Sequence, residues 1–323
     1  MEPRNQEKPM NVAQVREERE RITNMYVQEV GHPLYTLTKE NEGLKTLIKK
    51  AKEAINEGRI DKNLIGGIRE IAIHYAKKGD LLYPHLKVKY EISGPSDVMW
   101  TTDDEIRDEL ASLSKVDVFG NQEMQRFVDV IKRVEDTLRI ETNILFPNCA
   151  ANFTKEEWVN IYRDAKDYAT CFGVEPEAWD YAENMEVVVE GATPKGQAIV
   201  MAGGTMTVEQ LTAMLNTMPM EITFVDDQNI NRFFNEGPKD FKRPGMAIGR
   251  EVFSCHPPKI EAQVRRILDE FRAGTLDKVP VWMEKNGRSM LVTYMAVRDK
   301  DGKYIGTMEL VQDMEFAKDY FQQ

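Results

Sequence analysis

The sequence of 323 residues is poor in the residues that hold transition metals or cross-link a chain, with four histidines and three cysteines. Cys149, Cys171 and Cys255 are widely spaced and form no CxxC pair. A disulfide framework or a structural zinc knuckle is therefore not expected, and the three thiols are predicted to be reduced.

Long apolar runs and basic stripes are also missing. No window approaches the unbroken apolar stretch of a membrane span, and the polar N-terminus lacks the apolar region of a secretory signal. We therefore expect a cytoplasmic protein without a membrane partner. A net charge of −11 disfavours binding to phosphate backbones, so no direct nucleic-acid partner is expected.

The sequence lacks three common catalytic signatures. It contains no GxSxG, no phosphate-binding GxxxxGK[ST] and no GxGxxG after a predicted strand. This favours a protein without catalytic activity of its own, and no catalytic residue is assigned.

The N-terminal half has helical periodicity, because apolar residues recur at spacings of three and four from about Val15 to Tyr181. After an N-terminal segment at 1–20, we predict a helical bundle over 21–184. Its main helices are expected at Pro33 to about Asn56, at about Lys62 to Tyr83, after Gly94-Pro95, and at about Asn121 to Leu145.

The pattern changes after residue 184. Residues 185–207 alternate β-branched residues with Gly and Pro, which predicts a linker or a strand pair. Over 208–323 we predict two strands around a turn, a helix that starts after Pro257-Pro258, and three strands joined by hairpins at Asn286-Gly287 and Asp301-Gly302. The fold class is therefore α+β, with helices between the strands of an antiparallel sheet.

The C-terminal third resembles a PAS domain. The likeness rests on Phe224 to Asp227, on Phe233-Phe234-Asn235 and on the closing Gln312-Asp313-Met314. It implies a small-molecule ligand between the sheet and its helices. In FSCHPPK, residues 253–259, Cys255 and His256 are candidate axial ligands for haem, as a thiolate or as an imidazole. The alternatives are that Cys255 is a small core residue and that His256 is structural.

The bundle resembles the hemerythrin-like family through GHPLYTLTKEN at 31–41 and through the segments LLYP at 81–84 and ILFP at 144–147. Together with NTMPMEITFVDD and CHPPK, the chain resembles a bacterial and archaeal family that joins a hemerythrin-like (HHE) domain to a C-terminal PAS domain. The resemblance implies an N-terminal hemerythrin-like four-helix bundle followed by a PAS-type α/β domain with an antiparallel sheet.

The sequence departs from this family at the metal ligands. A di-iron centre needs about five histidines and bridging carboxylates, whereas this chain has Asn41, Lys78 and Thr137 at inner positions where the family pattern implies ligands. This argues against a full di-iron centre. We predict a metal-free network in which Asp103 and Glu141 compensate the ammonium of Lys78, since a buried lysine needs such partners.

A single metal ion is the open alternative for the bundle. His32, His74, Asp103 and Glu141 are the candidate ligands of a mononuclear zinc or iron site, provided that His32 folds over the end of the bundle. On a continuous helix His32 and Asn41 would face opposite ways, an argument against His32 as a ligand that weakens if His32 is an N-cap before Pro33. The alternative is that His32 and His74 are hydrogen-bonded structural histidines.

The predicted function is a sensor or regulatory ligand-binding protein whose PAS domain binds a small molecule, with haem as one candidate. The alternative is a hemerythrin-like protein that holds zinc or iron and binds dioxygen or nitric oxide. A third hypothesis is an interaction module with both sites empty. The charged helix from Val15 to Val30 is a candidate homodimer contact.

Overall fold

The computed structural model describes residues 12–92, 94–185, 196, 198–237 and 239–321. The chain divides at Met185 into two compact units. Within the described residues, no helix is both long enough and apolar enough to cross a membrane.

The first unit is helical. Its α-helices are α1 Val12–Gln28, α2 Pro33–Asn56, α3 Lys62–Arg69, α4 Ile71–Lys77, α5 Tyr83–Val88, α6 Gly94–Leu113, α7 Asn121–Ile140, α8 Phe146–Asn152, α9 Lys155–Ala165 and α10 Asp180–Glu183. Helix α2 packs on α3 and α7, while α6 packs on α3 and α7, which makes the four-helix bundle. Helix α1 packs against α2 and α8.

The bounds of α2 are those predicted from the sequence, and its first turn explains why. Pro33 is at the first helical position, where its missing N–H has no intrahelical role. His32 is the N-cap residue, and its Nδ1 accepts the backbone N–H of Leu34 at 3.1 Å. The side chain thus satisfies one of the N–H groups that a helix start leaves without a partner.

Two short π-helices interrupt what the sequence analysis treated as continuous helices. They are π1 at Lys78–Leu82 and π2 at Glu141–Leu145. Each is closed by a hydrogen bond between residues five apart, from Tyr83 N–H to the Lys78 carbonyl and from Phe146 N–H to the Glu141 carbonyl. A proline follows each closing residue and has no N–H for an ordinary helical bond. The repeated LLYP and ILFP segments therefore have the same backbone distortion. The predicted helix from Lys62 to Tyr83 is also broken between α3 and α4, at Glu70.

The bundle has an apolar core next to its polar interior. Residues Leu44, Ile48, Ile65, Ile68, Ile71, Ile106, Leu110, Phe127, Val130 and Val134 form one buried cluster. One helical turn away on the same helices lie buried polar residues, namely Asn41 before Leu44, Asp103 before Ile106 and Thr137 after Val134. The helix period thus places these polar side chains on the inner face.

The second unit contains a five-stranded antiparallel sheet in the order β4-β3-β7-β6-β5. Its strands are β3 Glu221–Asp226, β4 Asn231–Phe234, β5 Lys278–Lys285, β6 Arg288–Arg298 and β7 Tyr304–Asp313, and its helices are α11 Val208–Thr217, α12 Pro258–Ala273 and α13 Glu315–Phe321. Strands β1 Ala198–Met201 and β2 Gly204–Thr207 form a separate hairpin. This hairpin lies in the predicted segment 185–207, of which residues 186–195 and 197 are outside the described residues.

Turn and cap chemistry sets the bounds of these elements. Asn286 and Gly287 both have positive φ, at 54° and 75°, as a two-residue turn between antiparallel strands requires. Helix α12 starts at Pro258 and ends before Gly274, whose φ of 74° places it in the left-handed region. Val264, Ile267, Leu268 and Phe271 are the buried residues of α12. The combination of a helical bundle with an antiparallel sheet agrees with the predicted fold class.

Candidate functional site in the bundle interior

The centre of the bundle is a buried ion pair between the first residues of the two π-helices, Lys78 and Glu141. Both side chains are fully buried, and Lys78 Nζ donates to Glu141 Oε1. The same ammonium lies 3.4 Å from Asp103 Oδ1. This confirms the prediction that the charge of Lys78 is compensated by Asp103 and Glu141.

Two aromatic rings surround the ammonium of Lys78. Its Nζ is 4.1 Å from the ring centroid of Tyr75 and 5.9 Å from that of Tyr83, distances at which a cation is attracted to the ring face. The Tyr83 hydroxyl donates to Asp103 Oδ2 at 2.8 Å. The lysine is therefore held by carboxylates and rings together, with no solvent access.

His74 lies between two carboxylates. Its Nδ1 is 2.7 Å from Glu40 Oε2 and its Nε2 is 3.0 Å from Glu141 Oε2. A carboxylate oxygen is only an acceptor, so both ring nitrogens must carry hydrogen and the ring is an imidazolium. Burial lowers the pKa of His74, but the charges and hydrogen bonds of Glu141 and Glu40 outweigh burial and raise it above its usual value.

The pKa values of the two central carboxyl groups, Glu141 and Asp103, are shifted in opposite directions. Burial raises the pKa of Glu141, yet the Lys78 and His74 charges outweigh burial and lower it to about 2. Glu141 also accepts a hydrogen bond from Asn41 Nδ2 at 3.0 Å. Asp103 is more weakly compensated, so burial together with the Glu141 charge raises its pKa to about 6.

The network is electrically balanced. Lys77 donates to Glu40 Oε1, which extends the chain of contacts from Lys78 through Glu141, His74 and Glu40 to Lys77. The cations are His74, Lys77 and Lys78, and the anions at neutral pH are Glu40, Asp103 and Glu141. Since burial of an uncompensated charge is costly, this balance explains how six ionisable groups are tolerated inside the bundle.

His32 lies in a different cluster from the other candidate metal ligands. Its ring centroid is 4.2 Å from that of Tyr26, 4.7 Å from that of Trp158 and 4.8 Å from that of Trp179. Burial lowers its pKa to about 3, which keeps the ring neutral. The structure thus brings His74, Asp103 and Glu141 together and places His32 at the start of α2 as the N-cap.

The neutral state of His32 predicts loss of stability in acid. The unfolded chain takes up a proton near the ordinary pKa of 6.5, whereas the folded chain does so only at about 3. The contribution of His32 is therefore present above 6.5 and is lost as pH falls towards 3, by about 3 kcal/mol between pH 6.5 and 4. Urea denaturation of the full chain, followed by tryptophan fluorescence, measures this pH slope. His32→Asn keeps an N-capping oxygen but does not titrate, so its slope should be smaller. Equal slopes would contradict the assignment.

The candidate haem ligands lie in the second unit, at the end of the short 3₁₀ helix Val252–Cys255. His256 is half-buried, and its Nδ1 lies 2.8 Å from the Val252 carbonyl oxygen, to which it donates. The Cys255 side chain is outside the described part of the chain.

Sequence analysis missed Glu40, Lys77 and Tyr83 as members of the network. A signal for Glu40 was present, because it lies three residues after Leu37 and four before Leu44, two buried residues of α2. Lys77 and Tyr83 carry no comparable signal, since a π-helix alters the face on which neighbouring residues lie.

Comparison with known families agrees with the two units. The family model of the hemerythrin HHE cation binding domain matches residues 32–149, and that of a PAS domain matches residues 211–315. The chain joins a hemerythrin HHE domain to a C-terminal PAS domain. No curated protein matches.

Solved structures resemble parts of the chain. The C-terminal domain of a Streptococcus mutans protein is 35% identical, with a TM-score of 0.37, and the match covers 38% of this chain and 97% of that one. A PAS domain from Colwellia psychrerythraea is 15% identical, with coverages of 32% and 94% and a TM-score of 0.26. A sensory box sensor histidine kinase from Vibrio cholerae is 13% identical, with coverages of 32% and 87% and a TM-score of 0.26.

The interior of this hemerythrin domain does not fit the cation that the family description implies. The Lys78 ammonium contacts Glu141 and Asp103, the carboxylates that a metal ion would need. A Cβ on Gly79 would lie 3.3 Å from Trp100 Nε1, so the indole crowds the place next to Lys78 as well. Among the residues that the structure describes, no group of three or more His, Cys, Asp and Glu is arranged to hold a metal ion.

Proposed function

We propose that this chain is a sensor or regulatory protein whose PAS domain binds a polar small molecule and whose hemerythrin domain uses Lys78 in place of a metal cation. The observation that carries the second part is the contact of the buried Lys78 ammonium with Glu141 and Asp103. The presence of a PAS domain and a hemerythrin domain in one chain supports a sensor or ligand-binding regulatory role.

A lysine at the bundle centre supports a structural or regulatory role for that domain rather than gas binding. Dioxygen or nitric oxide binding at a metal needs an open coordination position, whereas the Lys78 Nζ is held between carboxylates and two aromatic rings. An ammonium has no redox chemistry and no coordination position. The geometry therefore disfavours the zinc or iron alternative for this bundle.

A cluster of polar side chains on the helix-covered face of the PAS sheet supports a small-molecule ligand there. This polar centre consists of Glu221, Thr223, Arg243, Tyr294 and Glu309. Thr223, Glu309 and Tyr294 are cross-strand partners, so their side chains share one face of the sheet. Tyr294 packs with α12, which identifies this face as the one that the helix covers. Arg243 donates from Nε to Thr223 Oγ1 at 3.1 Å and from Nη2 to Glu309 Oε1 at 2.5 Å.

Glu221 supplies an unused acceptor at this polar centre. Its Oε1 accepts the backbone N–H of Asp240 at 2.5 Å, whereas its Oε2 is buried without a hydrogen bond among the described residues. The nearest guanidinium nitrogen of Arg243 is 3.9 Å from Oε2. Burial raises the pKa of Glu221, and Arg243 offsets this only in part. A ligand that donates a hydrogen bond to Oε2 would satisfy the group.

Elemental analysis, an absorption spectrum and native mass spectrometry of the freshly purified full chain test both parts. We expect less than stoichiometric zinc and non-haem iron, together with a small molecule that is lost from Arg243→Met. Arg288→Met is the control, since Arg288 is an exposed arginine paired with Asp313. One zinc per chain, or one iron per chain without a haem absorption band, would overturn the lysine-centred bundle. Unchanged ligand content in Arg243→Met would overturn the proposed PAS site.

Haem is the specific ligand that the sequence suggests for the PAS domain. One observation favours His256 as the axial ligand of its iron. The Nδ1 of His256 donates to a backbone carbonyl, the arrangement that usually orients a metal-ligating histidine for coordination through Nε2. An intense haem absorption band in the spectrum of the unmodified chain that is absent from the spectrum of His256→Ala would identify haem with an imidazole ligand. Its disappearance in Cys255→Ala instead would assign the thiolate.

A further inference from the structure

The hemerythrin domain contains a cavity of about 340 Å³ that is separate from its charged centre. It is lined by the start of α2, the α4–π1 junction, α9, the segment that follows α9, and Glu183 of α10. Its volume is within the range of small-molecule sites, roughly 300–1,000 Å³. Most of its wall is apolar, with contributions from Pro33, Leu37, Leu81, Leu82, Ile161 and Ala165.

Most of the charged and phenolic groups in the cavity wall are paired with other side chains of the protein. Lys166 Nζ and Tyr162 Oη both donate to Glu183 Oε1, at 2.5 Å and 2.6 Å. Tyr168 Oη donates to Asp80 Oδ2 at 2.8 Å. Glu177, a further acidic residue of the wall, accepts from Tyr35 Oη at 2.7 Å, so these acidic and phenolic groups already have protein partners.

Lys77 differs from Lys166, the side chain of which is half exposed to solvent. It lines the cavity, its side chain is only 10% exposed, and within the described residues its ammonium has one hydrogen-bond partner, Glu40. An ammonium has three N–H donors, so two of those of Lys77 have no acceptor among the described residues. Buried donors without acceptors are unfavourable. A ligand with an anionic oxygen would therefore complement the cavity at this point.

We propose that this cavity binds a small carboxylic acid with an apolar body, whose carboxylate pairs with the Lys77 ammonium. The apolar body lies against Leu37, Leu81 and Ile161, and the carboxylate shares Lys77 with Glu40. Because Glu40 also contacts His74, the bound acid is two contacts from the charged centre of the bundle. The site is independent of the proposed PAS ligand, so either proposal can fail alone.

Isothermal titration calorimetry on the full chain with octanoate, and with octanol as its neutral analogue, tests the site. We expect saturable octanoate binding and roughly tenfold or more weaker octanol binding, because a charge-assisted hydrogen bond is lost. Lys77→Met keeps the apolar stem and should weaken octanoate binding by a similar factor while leaving octanol binding unchanged. Lys49→Met is the control, since Lys49 is an exposed lysine of α2 outside the cavity wall, and it should bind both probes like the unmodified chain.

Ala165→Phe provides a second test that leaves the buried charges intact. Ala165 is a half-buried wall residue at the end of α9, and a phenyl ring there would fill part of the cavity. This variant should lose binding of both probes while keeping the far-UV circular dichroism of the unmodified chain. Undiminished octanoate binding in Ala165→Phe would place the probe elsewhere. Equal affinity for octanoate and octanol, or a loss in Lys49→Met instead of Lys77→Met, would overturn the role of Lys77.

Discussion

Lys78→Met is expected to lower the free energy of unfolding of the hemerythrin domain by about 3–5 kcal/mol, as removal of one partner of a buried ion pair does. Methionine approximates the shape of the lysine stem, so the loss reports charge rather than packing. Without the ammonium, Glu141 keeps the His74 imidazolium as its cationic partner, whereas Asp103 keeps only the neutral hydrogen bond from the Tyr83 hydroxyl among the contacts described above. Urea denaturation followed by tryptophan fluorescence measures the loss, because Trp100, Trp158 and Trp179 are all in this unit.

Two further variants separate charge from other effects. Lys49→Met changes an exposed lysine of α2 and should leave the unfolding curve nearly unchanged. The double variant Lys78→Met/Glu141→Gln removes one cation and one anion, so its cost should be smaller than the sum of the two single costs. If Lys78→Met costs less than about 1 kcal/mol, or if the double variant is additive, the ion pair does not hold the bundle centre.

Lys78→Glu is expected to make the stability of the bundle depend on a divalent cation. The substitution replaces a positive charge by a negative one, so the balanced network of three cations and three anions changes by two charge units. The new carboxylate would stand beside His74, Asp103 and Glu141, which together form an acceptable ligand set for zinc. The variant should be unstable in EDTA. At about a hundred times its dissociation constant, zinc should restore about 3 kcal/mol.

Lys78→Met is the matched control for zinc rescue, because it lacks both the ammonium and the added ligand. Its melting temperature should be the same in EDTA and in zinc, and so should that of the unmodified chain. Elemental analysis should find about one zinc per chain in Lys78→Glu alone. Zinc rescue of Lys78→Met to the same extent would mean that the other residues already form a metal site.

The ionic centre could be predicted largely because its residues lie on long helices with a clear apolar stripe. The stripes of Leu37 and Leu44, and of Met99 and Ile106, point Asn41 and Asp103 inward from the sequence alone. The four-residue spacings from His74 to Lys78 and from Thr137 to Glu141 do the same for the other helices. The structure confirms the resulting contact of Lys78 with Glu141 and Asp103.

The members of the network that were missed lie where periodicity is a weaker guide. Lys77 and Lys78 are adjacent in the chain, yet both reach buried carboxylates, because π1 begins at Lys78 and changes the helical repeat. His32 was ambiguous because it precedes the first helical residue, where the inner and outer faces are not defined by a helix. Its ring stacks on the nearby Tyr26, and its tilted and edge-on contacts with Trp158 and Trp179 involve residues more than a hundred positions away in the chain.

Local sequence determines three features of this protein. They are the order of the two domains, the bounds of α2 and α12, and the presence of Asn41, Lys78 and Thr137 at positions where the family pattern implies metal ligands. Prolines, capping residues, turn pairs and helical spacing act over a few residues, so their effects can be predicted from the sequence before the fold is known. The charge state of His74 and the unused donors of Lys77 are different. They depend on Glu40, Glu141 and the cavity wall, which folding brings together from separate helices. Burial and distance set these electrostatic properties, and neither is defined until the helices are packed.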